Sequence, residues 1–208
     1  MDGLDLLKKD WKKKEKDLPK LSFEELYKMI WKKSSSYVKW IFYISVIELV
    51  FWISLDLTLK ITGVNPKINV PNFDIINIVM YLITYPIIFY FIYRFYQNYK
   101  TISSTDTVNG LMENILKTRK TVKQYVRFNI IFIFIGSCFI YTLMFKYDPN
   151  FTKFYGTEST GFIIGLIIAI VVILLLILLL VWLFYRLIYG ILLKRLHNNY
   201  NELKKIEV

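Results

Sequence analysis

The chain has 208 residues, of which 55% are hydrophobic and 18% aromatic, and its mean hydropathy is +0.41. Soluble domains reach only about 45–50% apolar residues even when glycine is counted, so this composition excludes an ordinary soluble globule. The formal net charge of +11 fits an anionic lipid, an acidic protein or a nucleic acid as partner. The positions of the basic residues along the chain decide among these partners.

The first predicted element is an amphipathic helix in the N-terminal tail. Leu4, Leu7 and Trp11 share one face at helical spacing. The lysines of the opposite face are Lys8, Lys9, Lys12 and Lys13. Such a helix can lie among lipid headgroups, where each lysine contributes about 1 kcal/mol near an anionic surface, or it can bind a soluble partner. A solvated tail is the alternative, because acidic residues dilute the basic face.

A second helix is predicted to begin at Ser22. Glu25 follows three residues later, and this capping-box pattern lets each side chain bind a backbone N–H at the helix start. Three consecutive serines, 34–36, predict a bend before the first membrane span. Residues 1–36 therefore form a predicted basic tail, and 37–208 a membrane domain. The first apolar run begins only near Tyr37, so no cleavable signal peptide is expected.

Four segments are long and apolar enough to cross a bilayer as helices, at 38–59, 75–95, 128–145 and 161–193. A bilayer core about 30 Å thick needs roughly 20 apolar residues. The fourth segment has no charged residue between Gly161 and Tyr185, so it is apolar on every face. Pro86 is expected to kink the second span. The single cysteine, Cys138, is expected to be a buried packing residue, with dimerisation or acylation as alternatives.

Glu48 is the one ionisable residue near the middle of a predicted span. Ser45 and Asp56 share its helix face, and Asp56 is expected in solvent near the outer surface. A charge at the depth of Glu48 costs at least ~2.5 kcal/mol, so Glu48 is expected to be neutral and to hydrogen-bond across the bundle. The candidate partners are Asn77, Thr84 and Ser137. Interhelical hydrogen bonding is the simpler interpretation, and a proton or cation relay is the functional alternative.

The loop 96–127 and the tail 194–208 are predicted to contain helices that continue into spans three and four. Apolar residues recur at helical spacing in both: Val108, Leu111, Met112, Ile115, Val122 and Val126 in the loop, and Leu196, Tyr200 and Leu203 in the tail. These faces are expected to pack against each other as a small cap. Contact with the membrane surface or with a partner is the alternative.

Gly161, Gly165 and Ala169 recur every four residues at the start of the fourth span. Small residues at this spacing allow two helix backbones to approach closely. This ladder predicts tight packing, either inside the bundle or between two chains of a homo-oligomer.

The basic residues lie almost entirely on one side of the predicted membrane. Residues 1–39, 94–127 and 186–208 hold 23 Lys and Arg, whereas the two other loops hold 4. By the positive-inside rule, the two tails and the long loop are cytoplasmic. Because the basic residues adjoin the spans and the aromatics beside them fit an interface belt, no nucleic-acid partner is expected.

Motifs with an identifiable chemistry are missing from the sequence. It has one histidine, His197, and no HExxH, P-loop, Gly-x-Ser-x-Gly or CxxC pattern. We therefore predict no catalytic residues, no metal site, no cofactor and no enzyme activity. His197 is expected to be solvated in the basic tail.

Three stretches of the chain stand out: MDGLDLLKKDWKKKE, SFEELYKMIWKKSSSYVKWIFYISVIE and LMENILKTRKTVKQYVRFN. They resemble a family of small four-helix membrane proteins of unknown function from Bacteroidota-type bacteria. The resemblance implies that the protein lies in the bacterial inner membrane. It also implies a regulatory role, because members of this family are encoded beside sigma-factor genes. Some members carry the label of carotene-cleaving oxygenases, which hold iron with four histidines. One histidine excludes that activity here.

Together these patterns predict an all-α membrane protein, a four-helix membrane bundle with amphipathic cytoplasmic helices and both termini in the cytoplasm. The functional hypothesis is a non-enzymatic regulatory or scaffolding protein whose cytoplasmic helices bind a soluble partner or anionic lipid. It predicts that deleting residues 1–33 abolishes the activity without unfolding the bundle. The alternative is a small oligomeric channel or transporter that uses Glu48, with Pro86 as a hinge.

Overall fold

Four long helices dominate this computed structural model, which describes residues 22–63, 69–105, 107–149, 151–153 and 160–206. They are α1 (Phe23–Thr62), α2 (Phe73–Ser103), α3 (Val108–Tyr147) and α4 (Thr160–Ile206). The predicted N-terminal amphipathic helix, with its Leu4, Leu7, Trp11 and lysine faces, lies outside the described residues.

Local sequence signals determine where the helices begin and end. The N–H of Glu25 donates to Ser22 Oγ at 3.2 Å and the N–H of Ser22 donates to Glu25 Oε2 at 2.9 Å, so the predicted capping box is confirmed. α1 ends at Gly63, whose φ of 68° is the left-handed conformation that glycine adopts without strain. Thr107 caps α3 by accepting a hydrogen bond from the N–H of Gly110 at 3.2 Å.

The predicted bend at serines 34–36 is wrong, because α1 runs through them without a break. Ser34 is buried and accepts a hydrogen bond from Asn199 of α4. Tertiary packing thus overrides the preference of serine for turns. The predicted domain boundary at residue 36 falls inside this continuous helix.

The helices are longer than a membrane is thick. They contain 40, 31, 40 and 47 residues, so each is at least about 45 Å long, against a bilayer core of about 30 Å. All four include an apolar window long enough to cross a membrane, which is the character of a multi-pass membrane protein. The unbroken α3 and α4 confirm that the helices of the long loop and the C-terminal tail continue into the apolar segments.

The helices run alternately up and down, each packs against the next, and α4 closes the ring against α1. We define the basal end as the one with Ser22, Thr107 and Lys205, and the distal end as the one with Gly63 and Thr160. Most buried hydrophobic side chains of the described residues lie in the basal half and form the basal core: Ile30, Val38, Ile41, Phe95, Ile102, Leu111, Ile115, Val122, Tyr125, Tyr185, Tyr189, Leu196 and Leu203. The expectation that the amphipathic faces pack against each other is confirmed.

The distal half, by contrast, is apolar on its outer surface. Leu82 of α2 is 69% exposed and Leu180 of α4 is 65% exposed, and they are two of many exposed large apolar residues in this half. A soluble protein does not expose an apolar surface of this extent, whereas lipid chains solvate it.

Six of the exposed Trp and Tyr side chains lie around the middle of the bundle, and we call them the aromatic belt. They are Trp40, Tyr43, Tyr90, Tyr93, Tyr96 and Trp182. Basic groups lie over three of these rings: Lys39 over Tyr43 at 5.5 Å, Arg94 over Tyr90 at 5.9 Å and Arg186 over Trp182 at 4.9 Å. Trp and Tyr collect at membrane–water boundaries, so this belt marks the level at which the bundle is expected to leave the bilayer.

Candidate functional site around Glu48

The side chain of Glu48 lies between α1 and α4 in the interior of the bundle. It is only 8% exposed, although it sits about 12 Å beyond Trp40 along α1. Tyr189 donates a hydroxyl hydrogen bond to Glu48 Oε2 at 3.0 Å, and Tyr185 donates one to Oε1. The two tyrosines are one helical turn apart, so their hydroxyls reach the same carboxyl group. We define Glu48, Tyr125, Tyr185 and Tyr189 as the Glu48 cluster.

Aromatic rings from α2 and α3 complete the surroundings of this cluster. The ring of Tyr125 lies edge-on to Tyr185 and to Tyr189, with centroid distances of 6.2 and 6.0 Å. Phe91 and Phe95 each pack edge-on against Tyr125 at 5.4 Å. Such pairs contribute about 0.5–1.5 kcal/mol beyond the burial of their area. Side chains from all four helices therefore meet at the level of Glu48.

The prediction that Glu48 hydrogen-bonds across the bundle is confirmed, but its predicted partners Asn77, Thr84 and Ser137 are wrong. Thr84 Oγ1 donates instead to the carbonyl oxygen of Met80, one turn back in its own helix, at 2.7 Å. Tyrosines near the end of a span are usually interface residues, and this tendency hides the true partners. The available signal was the spacing of four residues between Tyr185 and Tyr189 in a helix that continues past the membrane.

Ser45 and Asp56 do not join the Glu48 cluster. Ser45 is buried, but its hydroxyl donates to the carbonyl oxygen of Phe42 at 2.7 Å. The carboxylate of Asp56 pairs with Lys60 Nζ at 2.7 Å and accepts the hydroxyl of Tyr81 at 3.2 Å. Asp56 therefore connects α1 to α2 near the distal end, whereas it was expected to be simply solvated.

The small-residue ladder lies on the outside of α4. A Cβ atom added at Gly161 or Gly165 would meet nothing within 4 Å, and Ala169 is exposed. The ladder does not pack inside the bundle, so contact between two chains is the alternative that remains. Cys138 is also exposed. Its expected burial is wrong, because it faces outward from α3 and not towards the basal core.

A second buried polar contact joins α1 to α4. Asn199 Nδ2 donates to Ser34 Oγ at 2.8 Å, and both side chains are buried. Ser34 lies about 21 Å before Glu48 along α1. Hydrogen bonds thus connect the two helices at two well-separated levels.

The Glu48 cluster contains one carboxyl group, two tyrosine hydroxyls that donate hydrogen bonds to it, and the phenol of Tyr125 packed against both tyrosines. It can fix the position of α1 against α4, and it can hold a proton. The described residues contain no group of three or more His, Cys, Asp and Glu side chains that could bind a metal ion. His197 lies away from the cluster, exposed at the basal end, with its Nδ1 3.0 Å from Arg119 Nη1.

A protein-family model described as Domain of unknown function (DUF8845) matches residues 24–208. The match begins in the first turn of α1 and includes all four long helices. No curated protein and no solved structure matches the chain.

Proposed function

Because the chain belongs to the DUF8845 family, whose description assigns no activity, its function has to be argued from its own geometry, and we propose that it is a non-enzymatic scaffolding or regulatory protein of the bacterial inner membrane. Its basal end lies in the cytoplasm and binds a soluble partner or anionic lipid. The observation that carries the proposal is the basal core, a packed helical body that extends beyond the aromatic belt.

Exposed basic residues on the outside of the basal half support the cytoplasmic placement. They are Lys28, Lys32, Lys33, Lys39, Lys100, Lys117, Lys120, Lys123, Arg127, Arg186, Lys194, Arg195, Lys204 and Lys205. Among the residues that the structure describes, the exposed acidic residues there are Glu24, Glu25, Glu113 and Glu202. This excess of positive charge agrees with the positive-inside rule and favours anionic surfaces.

The basal core also limits how a partner is recognised. The apolar faces of the cytoplasmic helices are buried against each other, with Leu111, Ile115 and Leu203 fully enclosed. A partner therefore meets the basic outer surface and not an open apolar groove at this end.

The proposal is tested by capturing what binds the basal surface in cells. Cells that contain the tagged full chain are cross-linked and extracted in mild detergent, and the bound proteins and lipids are identified. Replacing Lys120 and Lys123 together by glutamate should release the bound partner, because both lysines are exposed on the basal part of α3. The matched control replaces Lys146 and Lys153, near the distal end, in the same way. Equal retention by both variants would overturn the proposal.

A truncation can add to this test only if it spares the basal core. Deleting residues 1–33 would remove Ile30, which is buried, and Trp31, whose Nε1 donates to the carbonyl oxygen of Ile102 at 2.9 Å. Loss of activity after that deletion would report unfolding as readily as loss of a binding tail. Deleting residues 1–21 leaves the capping box and the core in place.

The exposed ladder of Gly161, Gly165 and Ala169 favours a second candidate, a small oligomeric channel or transporter that uses Glu48. Close contact between α4 helices would assemble the oligomer. In that case Glu48→Gln should stop ion or proton flux in liposomes. Unchanged flux would reject this candidate, and the two tyrosine hydrogen bonds already favour a structural role for Glu48.

A further inference from the structure

A groove of about 650 Å³ runs along the outside of the bundle between α1 and α4, at the level of the aromatic belt. Its apolar walls include Trp40 and Ile44 from α1 and Leu187 and Ile191 from α4. The groove is open to the surroundings of the bundle, where lipid is expected.

The polar groups of the groove lie at its basal rim. Ser36 and Arg195 line this rim, and the guanidinium of Arg195 lies over the ring of Tyr37, 5.6 Å from its centroid. Lys33 is exposed one helical turn further along the Tyr37 face of α1. The nearest acidic residue on the Arg195 face of α4 is Glu202, about 10 Å further from the membrane. The rim is therefore positively charged, and the floor below it is apolar.

Two buried contacts fix the width of the groove. The Ser34–Asn199 hydrogen bond joins α1 to α4 on the basal side, and the hydrogen bonds of Glu48 join them on the distal side. A groove held between two such contacts keeps its shape when it is empty. Binding there does not require the two helices to be ordered first, which lowers the entropic cost of binding.

We propose that this groove binds one phospholipid with an anionic headgroup, drawn from the leaflet on the basal side. The headgroup phosphate pairs with Arg195 and accepts a hydrogen bond from the hydroxyl of Ser36. The upper part of one acyl chain lies along Trp40, Ile44, Leu187 and Ile191. From Ser36 to Ile44 the groove is about 12 Å long, which fits a headgroup and the first part of a chain.

The charge of the rim selects the lipid. Basic pockets between membrane helices on the cytoplasmic side recognise anionic headgroups, whereas a zwitterionic lipid brings its own cation against Arg195. The inference rests on the proposed function in one respect, because it places the basal end beside the anionic cytoplasmic leaflet.

The test is native mass spectrometry of the purified full chain in mild detergent, titrated with phosphatidylglycerol or with phosphatidylcholine. The wild type should retain one phosphatidylglycerol in clear preference to phosphatidylcholine. Arg195→Gln should weaken phosphatidylglycerol binding about tenfold or more, because a charge-assisted contact is lost. The matched control is Lys194→Gln, an exposed neighbour that does not line the groove, and it should leave binding within about twofold.

Two further variants separate the site from the fold. Arg195→Lys keeps the positive charge and should restore most of the preference for phosphatidylglycerol. Ile191→Trp fills the apolar part of the groove while Arg195 stays in place, so it should reduce the retention of both lipids. Equal retention of both lipids by the wild type, an equal effect of Arg195→Gln and Lys194→Gln, or a second copy of the chain covering the groove would each overturn the inference.

The lipid-binding test and the partner-capture test can succeed or fail separately. A chain that retains phosphatidylglycerol through Arg195, but whose Lys120/Lys123 and Lys146/Lys153 variants keep the same bound proteins and lipids in cells, would overturn the proposed function alone. A chain that recruits a partner through Lys120 and Lys123 but shows no preference for phosphatidylglycerol would overturn the lipid site alone.

Discussion

At the scale of single residues, the polar side chains buried in α1 depend on partners in α4. Glu48 is bound by Tyr185 and Tyr189, and Ser34 is bound by Asn199. Hydrogen bonds between membrane helices contribute about 0.6 kcal/mol on average and about 1.7 kcal/mol at most in a well-measured case. Each contact is therefore modest in energy, but each leaves a buried polar atom unsatisfied when one partner is removed.

The Glu48–Tyr189 pair should show energetic coupling. In a double-mutant cycle with Glu48→Met and Tyr189→Phe, we expect a coupling free energy of about 1 kcal/mol, because each single variant already breaks the same hydrogen bond. The measurement is denaturant unfolding of the four proteins in detergent. The control cycle pairs Glu48→Met with Tyr81→Phe, whose hydroxyl binds Asp56. Coupling of the same size in both cycles would contradict the assignment.

Ser34 and Ser35 offer a comparison between neighbours. Ser34→Ala removes the acceptor of the buried Asn199 amide and should lower the free energy of unfolding by about 1–3 kcal/mol. Ser35 is only half-buried, so Ser35→Ala should change it by about 0.5 kcal/mol or less. Unfolding in detergent reports both values. If Ser35→Ala lowers the free energy of unfolding as much as Ser34→Ala does, the contact between Ser34 and α4 is not the cause of the loss.

At the scale of helices, α4 contains residues that pack in the basal core and residues that face lipid. Leu196 is 0% exposed, whereas Leu187 is 64% exposed. Leu196→Ala should therefore lower the free energy of unfolding by about 2–5 kcal/mol, since it leaves a cavity in the core. Leu187→Ala should have a much smaller effect in detergent, which covers this surface in either variant. If the two variants have similar unfolding midpoints, the basal core is not the stable part of the bundle.

At the start of α3, we expect replacing glycine by alanine to have the opposite effect on stability to the one that helix propensity suggests. Alanine is favoured over glycine in a helix by about 1 kcal/mol. At Gly110, however, a Cβ would lie 2.8 Å from Thr107 Oγ1, the atom that caps the helix, and 3.0 Å from Thr105 Cγ2. Gly110→Ala should therefore lower the melting temperature. The control is Gly190→Ala, where the nearest atom is Arg186 Cγ at 3.7 Å and the melting temperature should stay the same or rise.

Sequence patterns were enough to predict the four helices and several of the positions where they begin and end. The length of the apolar runs predicts the number of helices, and the Ser22–Glu25 capping box predicts the start of α1 because both residues act within one turn. The continuity of α1 through Ser34 and the partners of Glu48 were not predictable in this way. Both depend on which face α4 presents to α1, and no local spacing in α1 contains that information.

At the scale of the whole molecule, the orientation of the bundle is a prediction that labelling can check. In a Cys138→Ser background, Asn201→Cys places a thiol at the basal end, and Thr152→Cys places one at the distal end. A membrane-impermeant maleimide added to cells with a permeable outer membrane should label position 152 only, because the positive-inside rule predicts a cytoplasmic basal end. Labelling of position 201 but not of position 152 would show that the topology is the reverse of the predicted one.

The uneven distribution of buried side chains has a mechanical consequence. The four helices are joined by a filled interior at the basal end, and among the described residues the distal half buries few side chains, such as Val70 and Leu174. The basal end of such a bundle is therefore its stiff end. Changes in bilayer thickness or lateral tension would spread the distal ends of the helices, while the geometry of the basal end stays constant.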